Sequence, residues 1–372
     1  MSGESLPGPA AWPEAVRRAR ELVLVHGWNA TAYQIVNPGI GHWFAAMGDA
    51  VVGYVRHART RVVAGAPVCA AERLADVVEE FERASAAAGD GVCYFGAEGR
   101  LDQLLGGSRR HAHVALGAQP AWRPVAFGSL LQSRGSLRAQ LNRARNKGVE
   151  VHEWRRGEVA DREALRRVLG EWLATRGLPP LHFLVEPDTL DRLDDRRVFV
   201  ARRGDAVTAF VVTSPVPARQ GWLVEQFVRG RAAANGTIEL LLDAAVRAMT
   251  ADGAQYVTLG LAPLSRHGPP HEHEPTWLRL VLGWVRAHGR RFYNFDGLDA
   301  FKAKFQPEQW EPVYAIARTG RVGGTFPPRA LWAIAGAFGA CSPVTLMTHA
   351  VARAATQEAR WLRAGSTPSG GD

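Results

Sequence analysis

The chain has 372 residues, 47% of them hydrophobic and 22% charged, which is long enough for two full cores and ordinary for a globular protein. Its net charge of +9 and pI near 10.1 point to an anionic partner, either nucleic acid or the anionic face of a membrane. Cys69, Cys93 and Cys341 lie far apart without metal-like spacing, which excludes a disulfide framework or a zinc motif and suits a reducing compartment.

The N-terminus lacks the apolar core of a secretory signal, and no apolar run reaches the roughly 20 residues that span a bilayer. Pro7, Pro9 and Pro13 argue against structure before Glu14, so residues 1–20 are expected to be a flexible start. From His42 the pattern turns strand-like: HWFAAM, a Gly48-Asp49 hairpin signal, AVVGYV, then TRVVAGAP. Ala70 to Ala88 reads as a helix, with Leu74, Val77, Val78 and Phe81 on one face, and GVCYFGA follows as a strand.

Further along, the order repeats. RVFVAR, Gly204-Asp205 and AVTAFVV echo the first hairpin in letters as well as pattern. GWLVEQFV reads as a strand, Thr237 to Thr250 as a helix and QYVTLGL as a strand. The repeat implies two α/β (α+β) domains of one type, 21–125 and 126–320, each a mixed sheet flanked by helices. Between them Ser136 to Gly148 reads as a helix, with Ser136 as cap and Gly148 as left-handed stop. Leu137, Leu141 and Ala144 form its buried stripe, and Arg134, Arg138, Asn142 and Arg145 a basic face for phosphates or for solvent. The tail, 326–365, reads as a helical hairpin that packs on the fold or docks shallowly on membrane.

The densest stretch is Arg291 to Tyr314, RFYNFDGLDAFKAKFQPEQWEPVY, where aromatics surround Lys302 and Lys304. Taken alone it reads equally as a core-sealing loop with solvated lysines. It resembles the closing motif of the lysyl-phosphatidylglycerol synthase catalytic domain, matching it at Tyr293, Asn294, Phe295, Gly297, Leu298, Phe301, Lys302, Lys304, Phe305, Pro307, Trp310 and Pro312. One extra residue falls between Pro307 and Trp310. The basic helix is similar to that family's Leu-Arg-x-x-Leu-x-x-Ala-Arg segment, and Leu259-Gly260-Leu261-Ala262-Pro263-Leu264-Ser265 to another landmark. The matches run from Leu137 to Tyr314.

The resemblance implies paired acetyltransferase-like (GNAT) domains, no cofactor, and transfer of an amino acid from aminoacyl-tRNA to a hydroxyl or amine, most simply a lipid such as phosphatidylglycerol. It would make this a cytoplasmic member without the family's membrane-spanning half, meeting anionic lipid peripherally and needing no stable protein partner. It assigns Glu225, Lys302 and Lys304 to catalysis, Glu225 holding the donor ammonium or acting as base and a lysine stabilising the oxyanion. Tyr293, Asn294, Asn235, Gly236, Arg229 and Ser265 would bind substrate, and Arg134, Arg138 and Arg145 the tRNA. The sequence departs from the family at two points. The family's Asp is Glu225 here, and the Arg three residues on is Val228, with Arg229 adjacent, so the donor amino acid is open. A carboxylate neutralised by a neighbouring arginine is the plain alternative for Glu225.

Two other readings stand beside this one. His267, His271, Glu272, His273 and Glu274 invite a metal, but Gly268 and two prolines make the segment a loop or lid, and no metal is expected. An acetyl-CoA-dependent GNAT acyltransferase would need a glycine-rich turn before a helix, and in Arg229 to Thr237 the glycines are misplaced. A non-catalytic tRNA- or membrane-binding module of the same fold is the third possibility.

Overall fold

Glycine at the two Gly-Asp corners sets the architecture. Gly48 and Gly204 take φ of 76° and 56°, conformations that cost a side chain but not glycine, and each closes a hairpin. In the first, β1 (Gly41–Phe44) pairs antiparallel with β2 (Val51–His57), and β3 (Thr60–Ala64) pairs with β2 in turn. Helix α2 (Leu74–Ala87) then crosses over to β4 (Gly91–Ala97), which lies parallel to β3. In the second, β7 (Arg197–Arg203), β8 (Ala206–Val216) and β9 (Gly221–Arg229) run antiparallel. Helix α7 (Thr237–Ala251) crosses to β10 (Tyr256–Thr258), parallel to β9. The echo in the sequence is thus an echo in topology, and the chain is a mixed α/β fold of two like halves.

The computed structural model describes residues 12–154, 162–175, 182–269 and 295–339. Across these, twelve strands form one sheet in the order β1-β2-β3-β4-β12-β5-β10-β9-β8-β7-β6, with β6 (Val149–Trp154) at the far edge and β11 (Ala262–Pro263) paired to β5 off that path. The join is an exchange. Strand β5 (His111–Trp122) leaves the first half and pairs with β10 of the second, while β12 (Gln309–Arg318) leaves the second half and pairs with β4 of the first. Between them β5 and β12 share a ten-residue antiparallel register from Gln309↔Ala121 to Arg318↔His111. Both strands carry prolines, Pro120 and Pro312, which a central strand normally avoids.

Apolar stripes decide which face each helix buries. From α5 (Gly135–Asn146), Leu137, Leu141 and Ala144 pack against Leu241, Ala245 and Met249 of α7 and against Val224 and Val257 of the sheet. Each such leucine contributes about 1.5–3 kcal/mol by leaving water. On the first half, Val77, Val78 and Phe81 of α2 cover Tyr94 and Val63. The opposite face is closed by α1 (Glu14–His26), through Ala19 and Val23, and by α9 (Pro328–Phe338), through Ala333 and Ala337.

Local expectations need two corrections. The flexible start expected over 1–20 gives way from Glu14, because α1 buries Ala19 and ties Arg20 to Asp195 at 2.5 Å. Ser136 is not the cap of α5. Helix α4 (Pro124–Ser133) ends just upstream, the chain turns at Arg134, and Ser136 falls inside the first turn of α5. Gly148 does take the left-handed conformation, φ 73°, two residues past the helix end. Of the 326–365 tail, α9 is described, and the second helix expected from Val344 lies outside the described residues, as does Cys341. Among the described residues no helix is long and apolar enough to cross a membrane.

Candidate functional site

Strand β10 ends at Thr258, opposite Leu223, while its parallel neighbour β9 runs on to Arg229. Past that point β9 borders helix α8 (Phe295–Ala303), where Phe227 meets Phe301 edge-on at 6.0 Å. The chain then turns into α7 through Gly236, whose φ of 92° and lack of a side chain are both required. A Cβ there would lie 2.1 Å from the Gln140 carbonyl oxygen of α5.

Around this turn lies a cavity of about 370 Å³, walled by Gln140 and Arg143 of α5, Arg229 of β9, Asn235 to Glu239 at the start of α7, and Phe301. No side chain caps α7, so its first-turn N–H groups add their partial positive charge to the wall. Arg229 is steadied by Asn235 Oδ1 at 2.9 Å and the Ala233 carbonyl at 3.1 Å. Lys304 donates to Glu239 Oε1 at 2.5 Å and to Gln140 Oε1 at 3.1 Å, with the Phe301 ring 4.7 Å from its Nζ. Three cations, one carboxylate and a helix N-terminus make a site for an anion.

The closing lysines therefore do different things. Lys304 reaches the cavity wall. Lys302 turns inward, fully buried, and donates to the Gly260 and Leu261 carbonyls at 2.7 and 2.8 Å. Burial lowers the pKa of its amine to about 7, with the Asp299 charge pulling the other way. A neutral amine still has two N–H donors, enough for both carbonyls. Ser265 is a loop-closing group, donating to Asp299 Oδ1 at 2.5 Å and accepting from the His267 N–H at 3.1 Å.

Glu225 belongs to another cluster. Its carboxylate is held by Arg196 at 2.6 Å and Gln34 at 2.5 Å, and its bonds are to these groups rather than to the cavity wall or the closing lysines. Of the residues expected to gather at one site, Asn235, Gly236, Arg229 and, through Glu239, Lys304 come together. Tyr293 and Asn294 lie outside the described residues. Arg145 turns onto Asp243 at 3.2 Å, while Arg134 and Arg138 lie on the exposed side of α5. The arginine that reaches the cavity is Arg143, which the stripe reading passed over; it stands one turn from Gln140, on the face that meets the start of α7. Glu239 was missed as well, since it does not stand out from the helical pattern around it, and Phe301, matched in the closing motif, was given no role at the site.

The metal-like loop is described only at its start, where the His267 ring stacks on Trp310 at 4.2 Å; His271 and His273 lie outside the described residues.

The profile of the phosphatidylglycerol lysyltransferase C-terminal family matches residues 35–317. The chain belongs to this family. The match takes in both halves of the sheet and every described wall of the cavity. A phosphatidylglycerol lysyltransferase of Bacillus subtilis is 24% identical over 282 residues, covering 75% of this chain and 32% of the relative. One from Staphylococcus xylosus is 24% identical over 281 residues, covering 73% and 32%. The chain thus spans about a third of the length of these relatives. Among solved structures, the C-terminal domain of a lysylphosphatidylglycerol synthetase homologue from Agrobacterium fabrum superposes with a TM-score of 0.73 at 24% identity, over 88% of this chain and 98% of that one. The L-PGS structure from Bacillus licheniformis gives 0.70 at 21%, over 89% and 94%. The family members thus share this two-half fold.

Proposed function

We propose that this protein transfers an amino acid from aminoacyl-tRNA to a hydroxyl of an anionic lipid of the phosphatidylglycerol type. The observation that carries the reading is the cationic cavity at the start of α7, within the family-matched region. An aminoacyl ester is already activated, so the protein has to align two substrates and manage one proton. The lipid oxygen attacks the ester carbonyl, the ribose oxygen leaves, and the proton passes from the one to the other. In this reading Arg143, Arg229 and the α7 N-terminus hold the phosphodiester of the tRNA 3′ end. Lys304, steadied by Glu239, faces the oxygen that gains charge. Lys302 supports the 259–265 loop from beneath.

The acetyl-CoA reading has less support. The turn into α7 is pressed against the Gln140 carbonyl, and the loop of 230–236 offers glycines only at 230 and 236. Binding of charged tRNA tests the site itself. Removing one cation from a phosphate lowers the slope of log K against log salt by about 0.7–0.9. Arg143→Ala should weaken binding and reduce the slope by about that amount. An unchanged slope would remove the tRNA end from this cavity.

A further inference from the structure

The Glu225 carboxylate is engaged within the protein at both oxygens. Arg196, whose side chain is completely buried, donates from Nε to Glu225 Oε1 at 2.6 Å. The same guanidinium donates to Asn37 Oδ1 at 2.8 Å and to the Arg192 carbonyl at 2.7 Å, and it lies over the Tyr33 ring. Gln34 Nε2 donates to the other oxygen, Glu225 Oε2, at 2.5 Å and stands 3.1 Å from Ser214 Oγ. Gln34 and Asn37 belong to the first half of the chain, and Arg196, Ser214 and Glu225 to the second. Two more ties run alongside: Arg192 donates to the Val36 carbonyl, and the Tyr33 hydroxyl donates to Asp195 Oδ2 at 2.7 Å. A buried carboxylate is therefore the centre of a polar joint between the halves.

The joint sits on an irregularity of the strand. Thr213 of β8 faces Val224 and Val212 faces Gln226, which leaves Glu225 as the extra residue of a β-bulge. A bulge bends its strand and re-aims the side chains that follow. Those that follow are Phe227, packed on Phe301, and Arg229, on the cavity wall.

We infer that Arg196, Gln34 and Asn37 are positioning residues: Arg196, itself held by Asn37, and Gln34 grip Glu225 and so fix the bulge of β9, and through it the placement of Phe227 and Arg229 at the cavity. The first half thereby sets the geometry of a site to which it contributes no wall. The consequence for catalysis rests on the aminoacyl-transfer reading, whereas the mechanical joint does not.

Two measurements on the full chain separate these. Arg196→Met and Gln34→Ala remove the grip, and Arg196→Lys keeps the charge but not the fork. By hydrogen exchange, amides of 224–229 should exchange at least about tenfold faster in Arg196→Met and Gln34→Ala, with α2 and β4 unchanged and Arg196→Lys intermediate. In a transfer assay the same variants should raise KM for charged tRNA about tenfold or more, because Arg229 is displaced, whereas simple loss of folded protein would lower kcat at unchanged KM. Where Arg196→Met does not fold, Gln34→Ala and Arg196→Lys carry the test. Unchanged exchange over 224–229 in a folded variant overturns the inference, and so does faster exchange with an unchanged KM. A wild-type protein that transfers nothing refutes the aminoacyl-transfer reading alone, and exchange then decides the joint.

Discussion

Lys302 and Lys304 are two residues apart, yet their surroundings give them opposite tasks. Lys304 is about a quarter exposed and is tied to the cavity wall through Glu239 and Gln140. Removing one donor aimed at developing charge costs on the order of 100-fold or more in kcat. Lys304→Ala should show a loss of that size with the fold intact by circular dichroism, and activity within twofold of wild type would remove it from the mechanism. Lys302 is an amine in a dry site, lowered by burial to about 7. Between that value and the ordinary lysine range near 10.5 the unfolded chain binds a proton that the folded chain does not. Stability therefore rises with pH across this window and is lost as pH falls toward 7, by at most about 1.4 kcal/mol per pH unit from this group. Lys302→Met should flatten that rise in urea titrations at pH 7, 8.5 and 10. A slope equal to that of wild type would mean that Lys302 is charged in the folded protein.

The start of α7 is where backbone geometry and site chemistry coincide. A side chain at 236 would have to accept φ of 92° and move the Gln140 carbonyl, so α5 and α7 could not both keep their places. Gly236→Ala should cost about 1–3 kcal/mol and lower Tm measurably, with tRNA affinity falling more than the loss of folded protein explains. A Tm equal to that of wild type would show that α5 gives way freely. Much of this element was legible in sequence. Period-2 runs, the paired Gly-Asp corners and the 3.6-residue stripes of α2, α5 and α7 name their elements directly. Strands β5 and β12 were not legible, because Pro120 and Pro312 interrupt the signal of a central strand. Helix α4 is short, and its ten residues, PVAFGSLLQS, hold too few turns to show a clear stripe. The bulge at Glu225 and its pairing with Arg196, 29 residues away in sequence, arise from tertiary packing that no local pattern encodes. The sequence placed Arg229 correctly beside the α7 turn but had no means of separating it from Glu225.

Across the whole molecule, the exchange of β5 and β12 makes the two halves one sheet, and a buried polar cluster lies on the seam. Glu98, just after β4, accepts from the Ala30 N–H at 2.7 Å, and among the described residues its other oxygen has no hydrogen-bond partner, with Arg219 Nη1 3.5 Å away. Arg219 lies over the Tyr256 ring at 3.4 Å and is turned toward Glu311, which also accepts from the Tyr256 hydroxyl at 2.9 Å and from Gln119 at 3.0 Å. Burial works against ionisation at Glu311, yet Arg219, Gln119 and Tyr256 hold its carboxyl below the usual range. Burial pushes Glu98 up to about 8, with Arg219 opposing and Glu311 adding to the rise. The folded protein thus keeps a proton on Glu98 that the unfolded chain releases above about 4.5. Stability from this group is complete below that value and is lost as pH rises toward 8, opposite in sign to Lys302. Glu98→Gln should remove the decline between pH 5 and 8 in chemical denaturation. An unchanged decline would mean that Glu98 is ionised at the seam.

The central claim is that this two-half fold moves an amino acid from tRNA to lipid, and it is tested most directly by following the amino acid. Purified protein is given a pool of radiolabelled aminoacyl-tRNAs with phosphatidylglycerol vesicles, and the organic phase is counted and its amino acid identified. The account predicts label entering the lipid phase only when protein and vesicles are both present, with a loss on the order of 100-fold in Lys304→Ala. Ester loss no faster than spontaneous hydrolysis, with no label in lipid, would contradict it.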